Sequence, residues 1–543
     1  MVILIFFIRA SMVFGVTFGE YGNYLSASTA KFSSDYLAAS KFYKSLLRKD
    51  PVNIDYAIDA LIFSVASGQV IEAIEIARHS QSKGLDSPLF GLVLMIDSLK
   101  NKRLDEARNL LSKYKNDLPN VAFWIFSGWA NSEAKKNQPP LEFSQVGQNA
   151  KNIGLDKYNQ ALYFSSLGDW QKAASFLMDS GYLLANLNRD ILLTQADILY
   201  LSGQKDAAIA LLRNGLGFYS IRQLPILDKI EEYTSNETSF VTQKDYFNFA
   251  IAQTLVMLNS GEENSISLGS IFYYQLANHI SQSNTFIKMT LVPSLFELGQ
   301  YSIAREIISS ISVDDPTYVE SQILLAEGLD KLGDTKTAID TLVRIEKDNK
   351  NNYFSHVALG DLYRSQGEYS LALEQYNLAL ETLGDTRDPS TWVTHFFRGI
   401  CYQELDSWEN ARSDYLRALE LSPDQPEVLN YLGYSLIERK ESLEKALGMI
   451  EKAIEKNPQS GYIVDSLAWG LYKLGRYQEA LRPMQKAFEL LPFDPIINDH
   501  FGDILWNNGR KNTAKLFWKR SLSFNPEADE ISKIKKKIEY GLD

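Results

Sequence analysis

Alanine recurs along this chain at an almost constant interval. The positions are Ala39, Ala73 and Ala107, then Ala173 and Ala208, then Ala304, Ala338, Ala372, Ala411, Ala446, Ala480 and Ala514. Within these groups the spacing is 34 or 35 residues, apart from one interval of 39. A unit of this length holds two short helices and their turns, and it must stack on a neighbour to bury its apolar side. The spacing therefore predicts an all-α chain in which helix hairpins pile into an α-solenoid.

The unit is clearest in residues 461–494. Its apolar positions share one face of each predicted helix: Leu467, Ala468 and Leu471 in the first, Ala480, Met484 and Ala487 in the second. Gly475 closes the turn between them, and Pro492 ends the unit because proline cannot continue a helix. Small residues at the repeated positions predict close contact between helices, where a larger side chain would hold them apart.

This pattern resembles the tetratricopeptide repeat (TPR), with a small residue three positions before Tyr or Leu in the first helix and Ala-x₃-aromatic or Leu in the second. Matching units begin near Glu20, Ile54, Pro88, Gly154, Arg189, Thr285, Val319, Tyr353, Trp392, Pro426, Gly461 and Pro495. The resemblance covers most of residues 20–526. It implies about 12–14 TPR-like hairpins with an irregular middle.

Departures from the repeat suggest how the chain is divided. Ala208 and Ala304 are 96 residues apart, and the polar run 234–239 (TSNETS) between them predicts a loop. We expect an N-terminal TPR-like solenoid over 20–215, an irregular helical connector over 216–283, a C-terminal TPR solenoid over 284–526 and a capping helix over 527–543. The basic run Lys533, Lys535, Lys536 and Lys537 is interpreted as the solvent-facing side of that capping helix.

Residues 1–19 are strongly apolar and predict an export signal or an uncleaved anchor, although Arg9 lies in their middle instead of ahead of them. A misplaced start or a buried leading helix are the alternatives. No cysteine follows the apolar stretch, which argues against a lipid anchor and leaves this segment as the expected route of any membrane association. The expected location is the periplasm or cell envelope, with the cytoplasm as the alternative.

Composition and motifs disfavour several function classes. The formal net charge of −12 opposes binding to phosphate backbones, so we expect no nucleic-acid partner. The single cysteine, Cys401, is expected to be buried and unreactive. The sequence contains neither His-Glu-x-x-His nor Gly-x-Ser-x-Gly, and no span outside the repeats is long enough for a catalytic domain. We therefore expect no enzyme activity, no metal and no cofactor.

The first helix of each repeat is expected to line the concave side of the solenoid. Positions two, five, nine, twelve and thirteen of a repeat lie on the helix face opposite the core and are free to bind. In the last three repeats the predicted binding residues are Asn430, Tyr434, Asp465, Trp469, Tyr472, Asp499, Asp503 and Trp506. Tryptophan and tyrosine give rigid contact area, and asparagine pairs with peptide groups. Alternatively, the aspartates are a solvated face and the tryptophans pack against the neighbouring repeat.

These residues predict a non-catalytic scaffold or adaptor that binds a protein or peptide. The segment 429–481 is similar to the C-terminal repeats of bacterial envelope TPR proteins, some of which deliver substrates to a carboxy-terminal processing protease. That resemblance implies an envelope adaptor. A cytoplasmic assembly or chaperone-partner protein is the alternative, although binders of chaperone tails use basic and amide groove residues, whereas this groove is acidic. An enzyme with an unrecognised site is the third hypothesis. The oligomeric state does not follow from the sequence.

Overall fold

The computed structural model describes residues 20–133, 138–148, 154–179, 189–216, 234, 245–258, 267–315, 317–348, 352–383 and 389–542. Within these ranges all regular structure is helical, which confirms the predicted all-α class. The apolar segment 1–19 lies outside the described residues, as do residues 235–239 of the polar run and residues 384–388.

The helices follow one another in short hairpins. The first are α1 Glu20–Phe32, α2 Tyr36–Lys49, α3 Ile54–Ala66, α4 Val70–Ser82, α5 Pro88–Lys100, α6 Leu104–Lys113, α7 Asn120–Ala130, α8 Leu155–Ser166, α9 Trp170–Asp179, α10 Arg189–Leu201, α11 Lys205–Leu216, α12 Tyr246–Leu258, α13 Leu268–Ile280, α14 Thr285–Glu297 and α15 Tyr301–Ser309. A 3₁₀ helix, Leu141–Gln148, packs on α7 where the repeat pattern is degenerate.

The later helices are α16 Tyr318–Lys331, α17 Thr335–Asp348, α18 Tyr353–Ser365, α19 Tyr369–Leu383, α20 Trp392–Glu404, α21 Trp408–Leu421, α22 Pro426–Glu438, α23 Leu443–Lys456, α24 Gly461–Lys473, α25 Tyr477–Leu490, α26 Pro495–Asn507, α27 Lys511–Ser523 and α28 Ala528–Tyr540. A short 3₁₀ turn, Pro389–Thr391, precedes α20.

The repeated alanines have the packing role that their spacing predicts. Every alanine of the repeated set is fully buried. Most of the described hairpin turns contain a residue with positive φ, namely Ser34, Gly68, Lys102, Gly168, Gly203, Gly299, Gly333, Gly367, Asp406, Lys440, Gly475 and Gly509. Glycine adopts this left-handed conformation without steric cost, whereas Asp406 and Lys440 hold it at φ 55° and 59°. The recurrence of one turn geometry shows that the hairpins are structural copies of one unit.

The chain divides into two compact units, Met1–Thr341 and Leu342–Asp543. In unit 1 the hairpin of α12 and α13 packs back onto first helices of the N-terminal repeats. Helix α12 contacts α7 and α8, and α13 contacts α3 and α5. Lys100 in α5 donates a hydrogen bond to the carbonyl of His279 in α13 at 2.6 Å.

Helix α5 shows the consequence of this packing. Its residues 90–99 are all buried, so both of its faces are covered. Buried polar contacts hold the crossing hairpin in place, since Gln253 and Asn284 both donate to the Asp190 carboxylate at 2.6 and 2.8 Å. The inner side of these repeats in unit 1 is therefore filled by the chain's own helices.

Unit 2 is a regular row of hairpins. The first helices α22, α24 and α26 pack side by side, and each also pairs with its own second helix. The hairpin helices come close at Gly433, where an added Cβ would lie 2.9 Å from the backbone oxygen of Ala446. Helix α28 packs on α27 and ends the row.

Candidate functional site

The predicted binding residues lie on the three adjacent first helices of unit 2. Asn430 and Tyr434 are on α22, the group Asp465, Trp469 and Tyr472 is on α24, and Asp499, Asp503 and Trp506 are on α26. We call this surface the inner face. Side chains one repeat apart contact each other across it, because the helices are parallel neighbours.

Trp469 is the centre of an aromatic stack on the inner face. Its ring stacks on Tyr472 of the same helix at 4.9 Å between centroids and on His500 of α26 at 3.8 Å. Its indole Nε1 donates to Glu438 of α22 at 2.6 Å. Trp469 is half-buried, so one part of the ring fixes adjacent repeats together while the rest remains available to a ligand.

Tyr472 links the stack to the next repeat. Its hydroxyl accepts a hydrogen bond from Asn507 Nδ2 at 3.2 Å. Burial, together with the negative charge of Asp503, raises the pKa of Tyr472 to about 12. The hydroxyl therefore stays protonated at neutral pH and keeps one donor for a ligand.

Asp465 is buried and paired, not solvated. Its two carboxylate oxygens lie 3.0 and 3.1 Å from His500 Nδ1. Burial by itself would lower the pKa of His500, but the carboxylates of Asp465, Asp499 and Asp503 outweigh it and raise that pKa above 6.5. The acidic surface thus favours the protonated form of His500.

Asp499 and Asp503 are also buried, and both bind a lysine from the C-terminal helix α28. Lys537 Nζ donates to Asp499 at 2.6 Å and to Asp503 at 2.8 Å. Asp503 accepts a further bond from the indole of Trp518 at 2.8 Å. Burial lowers the pKa of Lys537, but the two carboxylates outweigh it and raise the pKa above 10.5, so the ammonium stays charged.

Trp506 is covered by the last residues of the chain. Its Nε1 donates to the carbonyl of Leu542 at 3.1 Å. Gly541 lies against the ring with φ 86°, where an added Cβ would be 2.1 Å from the ring edge. The C-terminal segment therefore occupies the end of the inner face at Asp499, Asp503 and Trp506.

The opposite end of the inner face lies on α22. Asn430 and Tyr434 are both half-buried. Burial raises the pKa of Tyr434, with Glu438 and Asp465 adding to the effect. Among the described residues, no hydrogen-bond donor reaches the buried Asn430 Oδ1. This oxygen is enclosed by the protein itself, so it is not a contact point for a ligand on the inner face.

Sequence reasoning missed two residues that organise the inner face. His500 lies one position outside the chosen face positions, yet it joins Asp465 to Trp469. Lys537 was expected to face solvent with its basic neighbours, but it is turned inward because it lies on the same side of α28 as the buried Ile534. The spacing of Ile534, Lys537 and Ile538 is one helix face and is the pattern that identifies Lys537.

A separate pocket lies at the N-terminal end of unit 1. Its volume is about 660 Å³, and it is lined by Tyr24, Ser28, Lys31, Phe32, Tyr43, Asn53, Asp55, Tyr56 and Asp59. Lys31 pairs with Asp59 there at 3.0 Å. It contains none of the predicted binding residues, since those all belong to unit 2.

Two other properties of the described chain bear on function. No helix in the described ranges is both long and apolar enough to span a membrane. The same residues contain no group of three or more His, Cys, Asp or Glu side chains placed to hold a metal ion.

Comparison with known proteins identifies the repeats of unit 2. Two tetratricopeptide-repeat family models match the chain, over residues 388–524 and 355–382. This part of the chain consists of tetratricopeptide repeats, and the predicted resemblance is confirmed.

Several curated proteins are similar over part of the chain. BBSome complex member BBS4 of Bos taurus is 24% identical over 298 residues, which are 51% of this chain and 50% of that protein. The lipoprotein NlpI homolog of Haemophilus influenzae is 38% identical over 104 residues, 19% of this chain and 32% of that protein. The chain thus spans half or less of the length of these two relatives.

The solved structures that match this chain have low sequence identity to it. The APC/C hetero-tetramer Cut9-Hcn1 contains a chain that is 14% identical with a TM-score of 0.43, and the match covers 96% of both chains. YrrB, described as a TPR protein with an unusual peptide-binding site, is 19% identical with a TM-score of 0.28, and the match covers 36% of this chain and 97% of that one.

Proposed function

We infer that this tetratricopeptide-repeat chain is a non-catalytic scaffold that binds a protein segment on the inner face of unit 2. The observation that carries the proposal is Trp469, a half-buried tryptophan whose ring and indole N–H are fixed by three successive first helices. A rigid aromatic side chain loses little conformational entropy on binding, which is why tryptophan is enriched among residues that dominate binding energies.

The polar groups around Trp469 suit a peptide backbone. The Tyr472 hydroxyl retains a donor, and the half-buried side chains of Asn430 and Tyr434 lie on the neighbouring helix α22. A segment lying across α22 and α24 would supply a backbone carbonyl to the Tyr472 hydroxyl. The unit 1 repeats have no comparable surface over α3, α5, α7 and α8, because α12 and α13 cover those helices.

The test is affinity capture with the full-length chain and identification of bound proteins by mass spectrometry. Trp469→Ala is expected to remove the specifically captured partners, while circular dichroism shows unchanged helicity. Phe493→Ala is the matched control, because Phe493 is a large exposed aromatic that lies in the turn before α26. The proposal fails if Trp469→Ala captures the same proteins as the wild type.

For the location we propose the bacterial cell envelope. The similarity to a protein named as a lipoprotein supports this, and so does the expected export segment at residues 1–19. A reporter enzyme that is active only outside the cytoplasm, fused to the C-terminus, is expected to be active. Loss of reporter activity would favour the cytoplasmic alternative. If the chain is in the envelope and delivers substrates to a processing protease, such a protease is expected among the proteins that the wild type captures and Trp469→Ala does not.

A further inference from the structure

The C-terminal helix contacts the inner face through a defined set of side chains. Ile534 is fully buried, and Ile538 and Leu542 pack partly buried against the core of unit 2. Lys537 lies between them and pairs with both carboxylates of α26. The contacting residues have the spacing apolar-x₂-Lys-apolar-x₂-Gly-Leu, and the residues between them are charged or exposed. This segment has the form of an amphipathic helical ligand bound to the chain that carries it.

Lys537 leaves part of its site unmatched. Lys537 reaches the Oδ2 atoms of Asp499 and Asp503, but within the described structure no donor reaches the buried Asp499 Oδ1. A buried acceptor without a donor is rare in folded proteins. The ammonium is a compact charge with three donors, whereas a guanidinium has five donors in a planar fork that matches carboxylates in bidentate geometry. The chemistry of the two aspartates therefore favours arginine over lysine.

The charge of the surface around Lys537 also favours a basic ligand. Asp465, Asp499 and Asp503 bring three buried carboxylates to α24 and α26, where they face His500 and the ammonium of Lys537. If helix α28 served only to cover apolar surface, hydrophobic side chains at positions 499, 503 and 537 together would do so without desolvating charged groups. The buried group formed by Lys537, Asp499 and Asp503 is better suited to selecting a charged ligand.

We propose that the inner face of α26 is a binding site for an amphipathic helix of a partner protein that presents arginine to Asp499 and Asp503, and that α28 occupies this site until the partner displaces it. This inference rests on the proposed function, since it gives the ligand class for one end of the same inner face. The partner helix carries apolar residues three positions before and one position after its arginine, as Ile534 and Ile538 flank Lys537.

The test uses the full-length chain and fluorescein-labelled synthetic peptides of residues 527–543 with Lys, Arg or Gln at position 537. Gly541→Ala loosens the bound segment, because the added Cβ would collide with Trp506 while Lys537 and both aspartates stay intact. By fluorescence anisotropy, the Arg peptide is expected to bind this variant at least tenfold more tightly than it binds the wild type. On the variant, the Arg peptide is expected to bind about tenfold more tightly than the Lys peptide, and the Gln peptide most weakly.

Two results would overturn the inference. One is equal affinity of the three peptides for the Gly541→Ala variant. The other is that the Arg peptide binds this variant no more tightly than it binds the wild type. Lys537→Gln loosens α28 through a different contact and must give the same order of peptides, with unchanged helicity by circular dichroism in both variants. This second variant keeps the test valid if Gly541→Ala fails to fold.

The proposed function and the inference about α28 can be refuted independently of each other. Trp469 contacts α22 and His500, and none of its described contacts involves α28, so adding Trp469→Ala to Gly541→Ala is expected to change peptide affinity by less than twofold. Partner capture that survives Trp469→Ala refutes the proposed function whatever the peptides do. If partner capture depends on Trp469 but the Arg, Lys and Gln peptides do not bind in the expected order of affinity, only this inference is refuted.

Discussion

The substitution Gly→Ala is expected to have opposite effects on stability at two glycines of the same hairpin. Gly433 lies in α22, where an added Cβ would be 2.8 Å from Ile450 Cγ1 and 2.9 Å from the backbone oxygen of Ala446. Gly448 lies on the exposed side of α23, and nothing is within 4 Å of its Cβ position. Both glycines are inside helices, so the backbone gains about 1 kcal/mol from Gly→Ala at either position.

The net effect depends on whether the neighbours can move. At Gly433 the obstacle includes a backbone atom of a packed helix, so α22 and α23 must separate. Overpacking of this kind costs about 1–3 kcal/mol, and we expect Gly433→Ala to destabilise unit 2 by up to about 2 kcal/mol after the helix gain is subtracted. Gly448→Ala meets no obstacle, and we expect it to stabilise the chain by about 0.5–1 kcal/mol.

Urea unfolding followed by circular dichroism measures the difference. With a slope of about 1–3 kcal/mol per M, the two midpoints should move in opposite directions by a few tenths of a molar unit or more. The comparison is between midpoints, because a chain of two units need not unfold in one step. Stabilisation by Gly433→Ala, of the size found for Gly448→Ala, would show that the helices of the hairpin are not in close contact.

Two further predictions concern buried titratable groups. His500 has a raised pKa, so its contribution to stability is fully present below pH 6.5 and is lost as the pH rises through the folded pKa. The urea midpoint should therefore fall over that range in the wild type, and the fall should shrink in His500→Gln; an identical fall in the variant would contradict the assignment. Burial also raises the pKa of the Cys401 thiol to about 12, so 5,5′-dithiobis(2-nitrobenzoic acid) should label native protein at pH 8 far more slowly than urea-unfolded protein. Equal labelling rates would show that the thiol is accessible.

The sequence by itself determined the helical hairpins of this protein. A small residue every 34 positions reports which side of each helix meets its neighbour, and Ala480 and the other repeated alanines are fully buried as that period requires. Turn chemistry is equally local, so Gly475 could be placed between two helices before the structure was known. The same local logic placed Cys401 in the core.

Which surfaces remain open depends on how distant segments of the chain pack together. Helices α12 and α13 lie far along the chain from α3 and α5, and no period in the sequence indicates that they return to cover them. Lys537 likewise looks like one of several basic residues until the path of α28 brings it to Asp499 and Asp503. A helical period records the face that each residue shares with its near neighbours. Contacts between distant segments depend on the path of the whole chain, and those contacts determine where this protein has room for a partner.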